Sequence, residues 1–229
     1  MRDKSLKLPP LHYDPPQTPL QILYQDDDVL ALSKPSGILS VPGKPIEHRD
    51  CLETRAKDAF PNALLTHRLD METSGVFLMA LNKPAQVHIN RQFEKRQTQK
   101  EYIANVWGHV EGDHGQIDLP LCCDWDNRPR QMVSQEFGRP AQTDWTVLER
   151  SQLPCGNDFT RMLLKPITGR SHQLRVHMEE LGHPILGEVF YAHDMAENAA
   201  DRLHLHAQSL TIHHPKDGEL ITFTDPAPF

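Results

Sequence analysis

Between Glu101 and Pro166 the chain strings together five short runs of β formers with only turns between them: Glu101–Trp107, Ile117–Leu121, Gln131–Ser134, Thr143–Leu148 and Phe159–Leu164. A succession like this does not fit a steady βαβ alternation. It points to an α+β fold. The helical signals are few and lie outside it. Asp50-x-x-Glu53 resembles a capping box ahead of Leu52, Ala56, Ala59 and Phe60, with Pro61 as the stop. Asn82 is placed to cap a second helix carrying Pro84 in its first turn and Ile89 and Phe93 on its apolar side. Ser171–Leu181 reads as a short helix that turns Leu174, Met178 and Leu181 to the core and stops at Gly182. Further strands are expected at Gln21–Tyr24, Val29–Ser33, Val76–Leu81, Leu203–Ile212 and Leu220–Phe223. Asp26–Asp28 and Lys34-Pro35-Ser36-Gly37 read as turns.

Residues 1–20 hold Pro9, Pro10, Pro15, Pro16 and Pro19, so an extended, partly mobile arm is expected there. No composition break divides 21–229, which reads as one domain. With 24 Lys+Arg against 31 Asp+Glu the net charge is −7, which excludes a uniformly basic nucleic-acid coat. Any nucleic acid must be held by a local patch against the global charge. The first residues have no apolar core of a secretory signal. The longest strongly apolar stretch, Val76 to Leu81, is far too short for a membrane span. Four cysteines without a C-x-x-C spacing read as reduced thiols of a cytosolic protein. GxxxxGK[ST] and GxGxxG are both missing, so the sequence implies no nucleotide cofactor.

Three constellations carry candidate chemistry. The first is the loop His67-Arg68-Leu69-Asp70-Met71-Glu72-Thr73-Ser74-Gly75. An Asp among Thr, Ser and Gly is ordinarily a turn or cap residue. This loop is also dense in both charge signs and feeds a rigid apolar strand able to hold a carboxylate. The second runs from Lys165 to His177, where His172, Arg175 and Glu179 recur on the face away from Leu174 and Met178. That is either a solvated face with an Arg175–Glu179 pair or a cationic face turned toward a carboxylate or phosphate. In the third, Gln99-Lys100-Glu101-Tyr102, Tyr102 follows the basic residues Arg91, Lys95, Arg96 and Lys100. It reads as a half-buried packing residue or as a ring for a nucleobase to stack on. Fourteen histidines, with His204 and His206 on one side of a strand, invite a metal reading. No spacing supplies the further ligands, so packing and surface roles fit better and no metal site is assigned.

HRLDMETSG and KPITGRSHQLRVH, with LGHPILG after them, resemble the motifs of the RluA family of RNA pseudouridine synthases. The likeness runs from about Ile22 to the C-terminus and takes in LYQDD, KPSGILSVPG, QKEYIANVWGH, DLPLCCDW and NRPRQMV. It implies one catalytic domain around a bent, mostly antiparallel sheet with RNA in a cleft across it, and no cofactor. Many members carry an N-terminal S4-like domain, for which residues 1–20 are too few. By the resemblance Asp70 is the catalytic aspartate and Arg68 enters the RNA and helps displace the base. Tyr102 stacks on the flipped uracil and is a candidate base for the last proton transfer. Arg175 matches the arginine that pairs with the aspartate. The implied substrates are a 23S rRNA hairpin loop and a tRNA anticodon stem-loop, and the implied state is a cytoplasmic monomer without obligate protein partner. Arg68, Arg91, Lys95, Arg96, Lys100, Arg128, Arg130, Arg170 and Arg175 are then expected around the RNA. The competing readings are an RNA-binding module without catalysis, an N-glycosidase built on Asp70 and Glu72 that releases free uracil, and a metal-dependent hydrolase using His204 and His206.

Overall fold

A computed structural model describes residues 13–229. Residues 1–12, most of the expected arm, lie outside the described residues. The elements in chain order are β1 (Gln21–Gln25), β2 (Val29–Lys34), α1 (Leu52–Ala59), β3 (Leu64–Leu65), β4 (Ser74–Ala80), α2 (Lys83–Glu94), β5 (Gln99–Trp107), β6 (His114–Asp118), β7 (Leu121–Cys123), β8 (Gln131–Val133), β9 (Gln142–Gln152), β10 (Asp158–Pro166), α3 (Gln173–Glu180), α4 (Asp194–Glu197), β11 (Leu205–His213) and β12 (Leu220–Thr224). The sequence did not foretell α4. Its first turn is capped by His193, whose ring accepts a hydrogen bond from the Ala196 amide, and no apolar periodicity announces so short a helix.

The described chain divides into two compact units, Tyr102–Leu205 and residues 13–101 with His206–Phe229. In the latter, β2 lies antiparallel between β1 and β4. β4 pairs parallel with β11 through His206↔Ser74 and Ala207↔Gly75, and β12 lies antiparallel to β11. Side chains alternate across a strand. One face of β2 and β4 therefore supplies Val29, Ala31, Val76, Leu78 and Ala80 to a core closed by Ala85 and Ile89 of α2. The other supplies Leu30, Leu32, Phe77 and Met79 to a second core closed by Leu52 and Ala56 of α1. Burial on both faces is why β4 reads as one unbroken apolar run. Gly75 has φ +110°, and a Cβ there would lie 2.2 Å from the Ala207 carbonyl oxygen, so the parallel pairing requires glycine.

Asn82 caps α2 as expected, accepting from the Ala85 amide at 2.9 Å. The capping box at α1 is not formed. Cys51 is the N-cap and its Sγ accepts from the Thr54 amide. Asp50 is drawn instead to Arg55, which grips it with two hydrogen bonds of 2.6 and 2.7 Å. A bidentate, charge-assisted pair outcompetes a single cap bond. Arg55 also donates to the Pro16 carbonyl, and the Tyr13 hydroxyl donates to the Asp50 carbonyl while accepting from the Leu39 amide. The described end of the arm is thus tied down.

The unit Tyr102–Leu205 contains the antiparallel order β5-β10-β9-β6 and the two-stranded ribbon β7-β8. Its main core gathers Ala104, Val106, Met162, Leu164 and Trp145 with Leu174 and Met178 of α3. A mainly antiparallel sheet with few helices is the α+β class that the strand succession calls for. No helix among the described residues is long and apolar enough to cross a membrane.

Candidate active site

Asp70 sits on the loop that joins β3 to β4, and neighbouring residues brace this loop on both sides of it. Ser40 Oγ donates to the Leu69 carbonyl at 2.6 Å and accepts from the Leu69 amide at 3.1 Å. Lys34 is fully buried at the end of β2, and its ammonium donates to the carbonyls of Pro35, Met71 and Thr73 at 3.1, 2.8 and 2.8 Å. An ammonium has three protons to give, so this one is fully satisfied although it is out of water. The Gly37 amide donates to Met71 O at 3.0 Å, and Ser36 Oγ donates to Glu72 O at 2.7 Å. The turn Lys34-Pro35-Ser36-Gly37, read from the sequence only as a turn, is therefore the clamp of the aspartate loop. Nothing in the spacing announced this. The one available signal was a lysine closing an otherwise apolar strand, a place where a charge needs partners. Arg68, beside the aspartate, is exposed, and Asp70 is half-buried. Glu72, offered as the second carboxylate of a glycosidase pair, meets the Ser36 hydroxyl at 3.1 Å.

His67 begins the same loop and has a packing role. Its ring lies against Phe77 and Phe93, and its Nε2 accepts from the Leu78 amide at 2.9 Å. Burial, helped by the charge of Lys100, pushes its pKa down to about 4, so it is a neutral acceptor at neutral pH. Lys100 in turn is pushed down to about 8 by burial and by Arg96. His206 is buried too, with Nδ1 at 2.8 Å from Ser74 Oγ and Nε2 at 2.8 Å from the Asp225 carbonyl. These bonds give both ring nitrogens structural partners and leave no lone pair turned toward a metal.

In the unit Tyr102–Leu205, Tyr102 pairs with Leu164 in the ladder and packs, half-buried, on the core that includes Leu174. α3 starts at a residue in the left-handed region, His172 (φ +52°), without a side-chain cap. Gln173 secures this start. Its Oε1 accepts from Thr168 Oγ1 and the Arg170 amide at 2.7 and 3.0 Å, and its Nε2 donates to Gln142 O and Thr143 Oγ1 at 2.9 and 3.0 Å. Two residues on, Arg175 is 2% exposed. Its Nε and Nη2 donate to the two carboxylate oxygens of Glu188 at 2.5 and 2.7 Å. The guanidinium carbon lies 5.0 Å from the Phe190 ring centre and 5.6 Å from that of Tyr191. His172 stacks on Phe190, and its Nδ1 lies 2.6 Å from the Tyr191 hydroxyl.

The reading of this segment as a solvated face is therefore corrected. Residues 172–178 are buried all round, and the fork of Arg175 is taken by Glu188. Burial strips water from the guanidinium, and a fully buried carboxylate is the partner that repays it. Arg175 is thus a buried cation with a carboxylate partner. Glu188 is the residue sequence reading missed. A lone acid between Pro184-Ile185-Leu186-Gly187 and Val189-Phe190-Tyr191 was its signal.

Residues 28–180 match the family model for RNA pseudouridylate synthase. The chain belongs to this family. The dual-specificity RNA pseudouridine synthase RluA of Escherichia coli K12 is 53% identical over 219 residues, covering 95% of this chain and 98% of the relative. The Vibrio vulnificus protein of the same name is 50% identical over 220 residues, covering 96% and 88%. Among solved structures, human RNA pseudouridylate synthase domain containing 1 superposes with a TM-score of 0.77 at 33% identity, covering 92% of this chain and 84% of its own. Human domain containing 4 gives 0.70 at 27%, covering 91% and 88%. The pseudouridine synthase is thus an RNA-modifying isomerase with the fold of its relatives, and the sequence resemblance to the RluA family holds.

Proposed function

We propose that this pseudouridine synthase acts on two kinds of RNA, a 23S rRNA hairpin loop and a tRNA anticodon stem-loop, by drawing the target uridine out of its stack. The observation that carries the reading is the braced loop that presents Asp70 with exposed Arg68 beside it. The dual specificity in the names of the bacterial relatives supports the pair of substrates. The reaction breaks the N1–C1′ bond of uridine, turns the base, forms C5–C1′, moves the C5 proton to a base and leaves N1 protonated. A stacked uracil cannot turn, so it is first extruded, at a cost of a few kcal/mol. Arg68, cationic and planar, fills the space the base leaves. Tyr102 stacks on the uracil, recovering about 1–3 kcal/mol, and is the candidate base for C5. The Asp70 carboxylate works on the ribose, as nucleophile at C1′ or as base at C2′. Arg175 is the cation of the set. Residues 21–229 work as one catalytic domain, monomeric and cytoplasmic.

The test uses unmodified transcripts of a tRNA anticodon stem-loop and of a 23S rRNA hairpin. The wild-type chain is expected to form pseudouridine in both, and Asp70→Asn to bind them without forming it. Release of free uracil by the wild type would replace the isomerase with an N-glycosidase. Full activity of D70N would remove the aspartate from the mechanism.

A further inference from the structure

We propose that the tip of the β7-β8 ribbon is a second RNA contact, a platform of Trp125 and Arg128 on which an unpaired base outside the reacting position stacks. It rests on the reading that the substrate is a structured RNA loop, and it names a surface that reads that loop. Trp125 is 72% exposed, and Met132 and Phe137, in the same stretch of chain, are 44% and 73% exposed. One exposed apolar side chain is ordinary; two on one small ribbon, Met132 on β8 and the larger indole of Trp125 at the tip, mark a contact surface. The Arg128 guanidinium carbon lies 5.1 Å from the centre of the Trp125 ring. A planar cation on one face of an indole leaves the other face for a base, a π surface every nucleobase can use.

The tip is built to hold still. Asp124 Oδ1 accepts from the Asn127 amide, and both its carboxylate oxygens accept from the Asn127 side chain at 3.1 and 2.9 Å. The Asp124 amide donates to Arg130 O and the Arg130 amide to Asn127 O, at 3.0 and 3.1 Å. The inner face is anchored: Leu121 and Val133 pack with Val176 of α3 and with Tyr191. The Tyr191 hydroxyl accepts from the Gln131 amide at 2.9 Å, and Arg130 lies over the Tyr191 ring at 5.2 Å. Tyr191 also faces Arg175, so the root of the ribbon and the buried arginine share one aromatic support. The charges decide how the surface binds. Arg128, Arg130 and Arg139 are balanced by Asp124, Asp126 and Glu136, so stacking, and not bulk phosphate attraction, must carry the contact.

The experiment uses the anticodon stem-loop transcript and the variants Trp125→Ala and Trp125→Phe, whose melting temperatures are expected to match the wild type because the side chain is exposed. W125A is expected to raise KM for pseudouridine formation about tenfold with kcat held within about twofold, and W125F to restore most of the loss. The ratio between W125A and wild type should not change from low to moderate salt, as stacking requires. Quenching of indole emission by the RNA should be markedly smaller in W125F, which keeps Trp107 and Trp145, than in the wild type. An active wild type with unchanged KM in W125A, or with quenching undiminished in W125F, overturns the platform and leaves the substrate assignment standing. A wild type that binds the RNA with Trp125-dependent quenching but forms no pseudouridine in it overturns the assignment and keeps the platform. A dimer in solution that W125A dissolves would also overturn it.

Discussion

Asp70 and Arg175 are both held in place, by opposite means. The aspartate loop is fixed through its backbone: Lys34, Ser36, Gly37 and Ser40 bind the carbonyls and amides of residues 69 to 73. Arg175 is fixed through its own side chain, by a bidentate bond to Glu188 and two aromatic faces. In the first region the proposed reactive carboxylate rides on a loop whose backbone other residues hold. In the second the residue is held through its own guanidinium. Replacing the side chain should therefore cost activity alone in one place and the local fold in the other.

The largest expected effect tests the first half of this contrast. Asp70→Asn should lower kcat by at least about a thousandfold, with a melting temperature within a few degrees of wild type, because the loop bonds survive. A D70N chain that fails to fold would show that the carboxylate itself supports the loop. Next in size is Glu188→Ala, which leaves a buried guanidinium without its carboxylate and should destabilise the chain by about 3–5 kcal/mol in denaturant titration. Glu188→Ala with Arg175→Met should recover part of that loss. A double mutant as unstable as the sum of the singles would break the idea that they act as a pair. Lys34→Met strips donors from the Met71 and Thr73 carbonyls. It should cost about 2–4 kcal/mol and, by letting the aspartate drift, up to about 10²-fold in kcat with little change in RNA affinity.

The smallest effect is on pH. His67 and His204 are both pushed down to about 4, by burial first and then by neighbouring cations, Lys100 in one case and Arg202 with Arg161 in the other. Between about 6.5 and about 4 the unfolded chain takes up protons that the folded chain refuses, so stability falls as pH falls through that window. For His67 the loss is at most about 3 kcal/mol, and less for the more open His204. His67→Gln, which keeps an acceptor for the Leu78 amide, should flatten the slope of melting temperature against pH. An unchanged slope would take His67 out of the account.

Much of this could be read before any coordinates. The strand succession from Glu101 to Pro166 gave the α+β class, since local alternation and turn residues act over a few positions. Asn82 and Gly182 marked helix ends for the same reason. What escaped were partners far away in sequence. Lys34 reaches Met71 and Thr73 across 37 and 39 positions, and no periodicity carries that information. Asp50 looked like a cap because the pattern ignores Arg55 as a rival. Glu179 was offered as the partner of Arg175 because helical spacing is visible, whereas Glu188, which takes the guanidinium fork, lies beyond the helix on a segment with no regular spacing.

β4, which follows the aspartate loop, is a middle layer with apolar packing on both faces. Its amides should exchange with solvent only when the whole unit opens, on the slowest timescale of the molecule. The peptide groups at the Trp125 tip, at the end of a two-stranded ribbon, should exchange orders of magnitude sooner. The loop of Asp70 thus leads straight into a strand expected to open last among the described ones, and on the proposed mechanism such a mount returns the carboxylate to the same spot at each turnover.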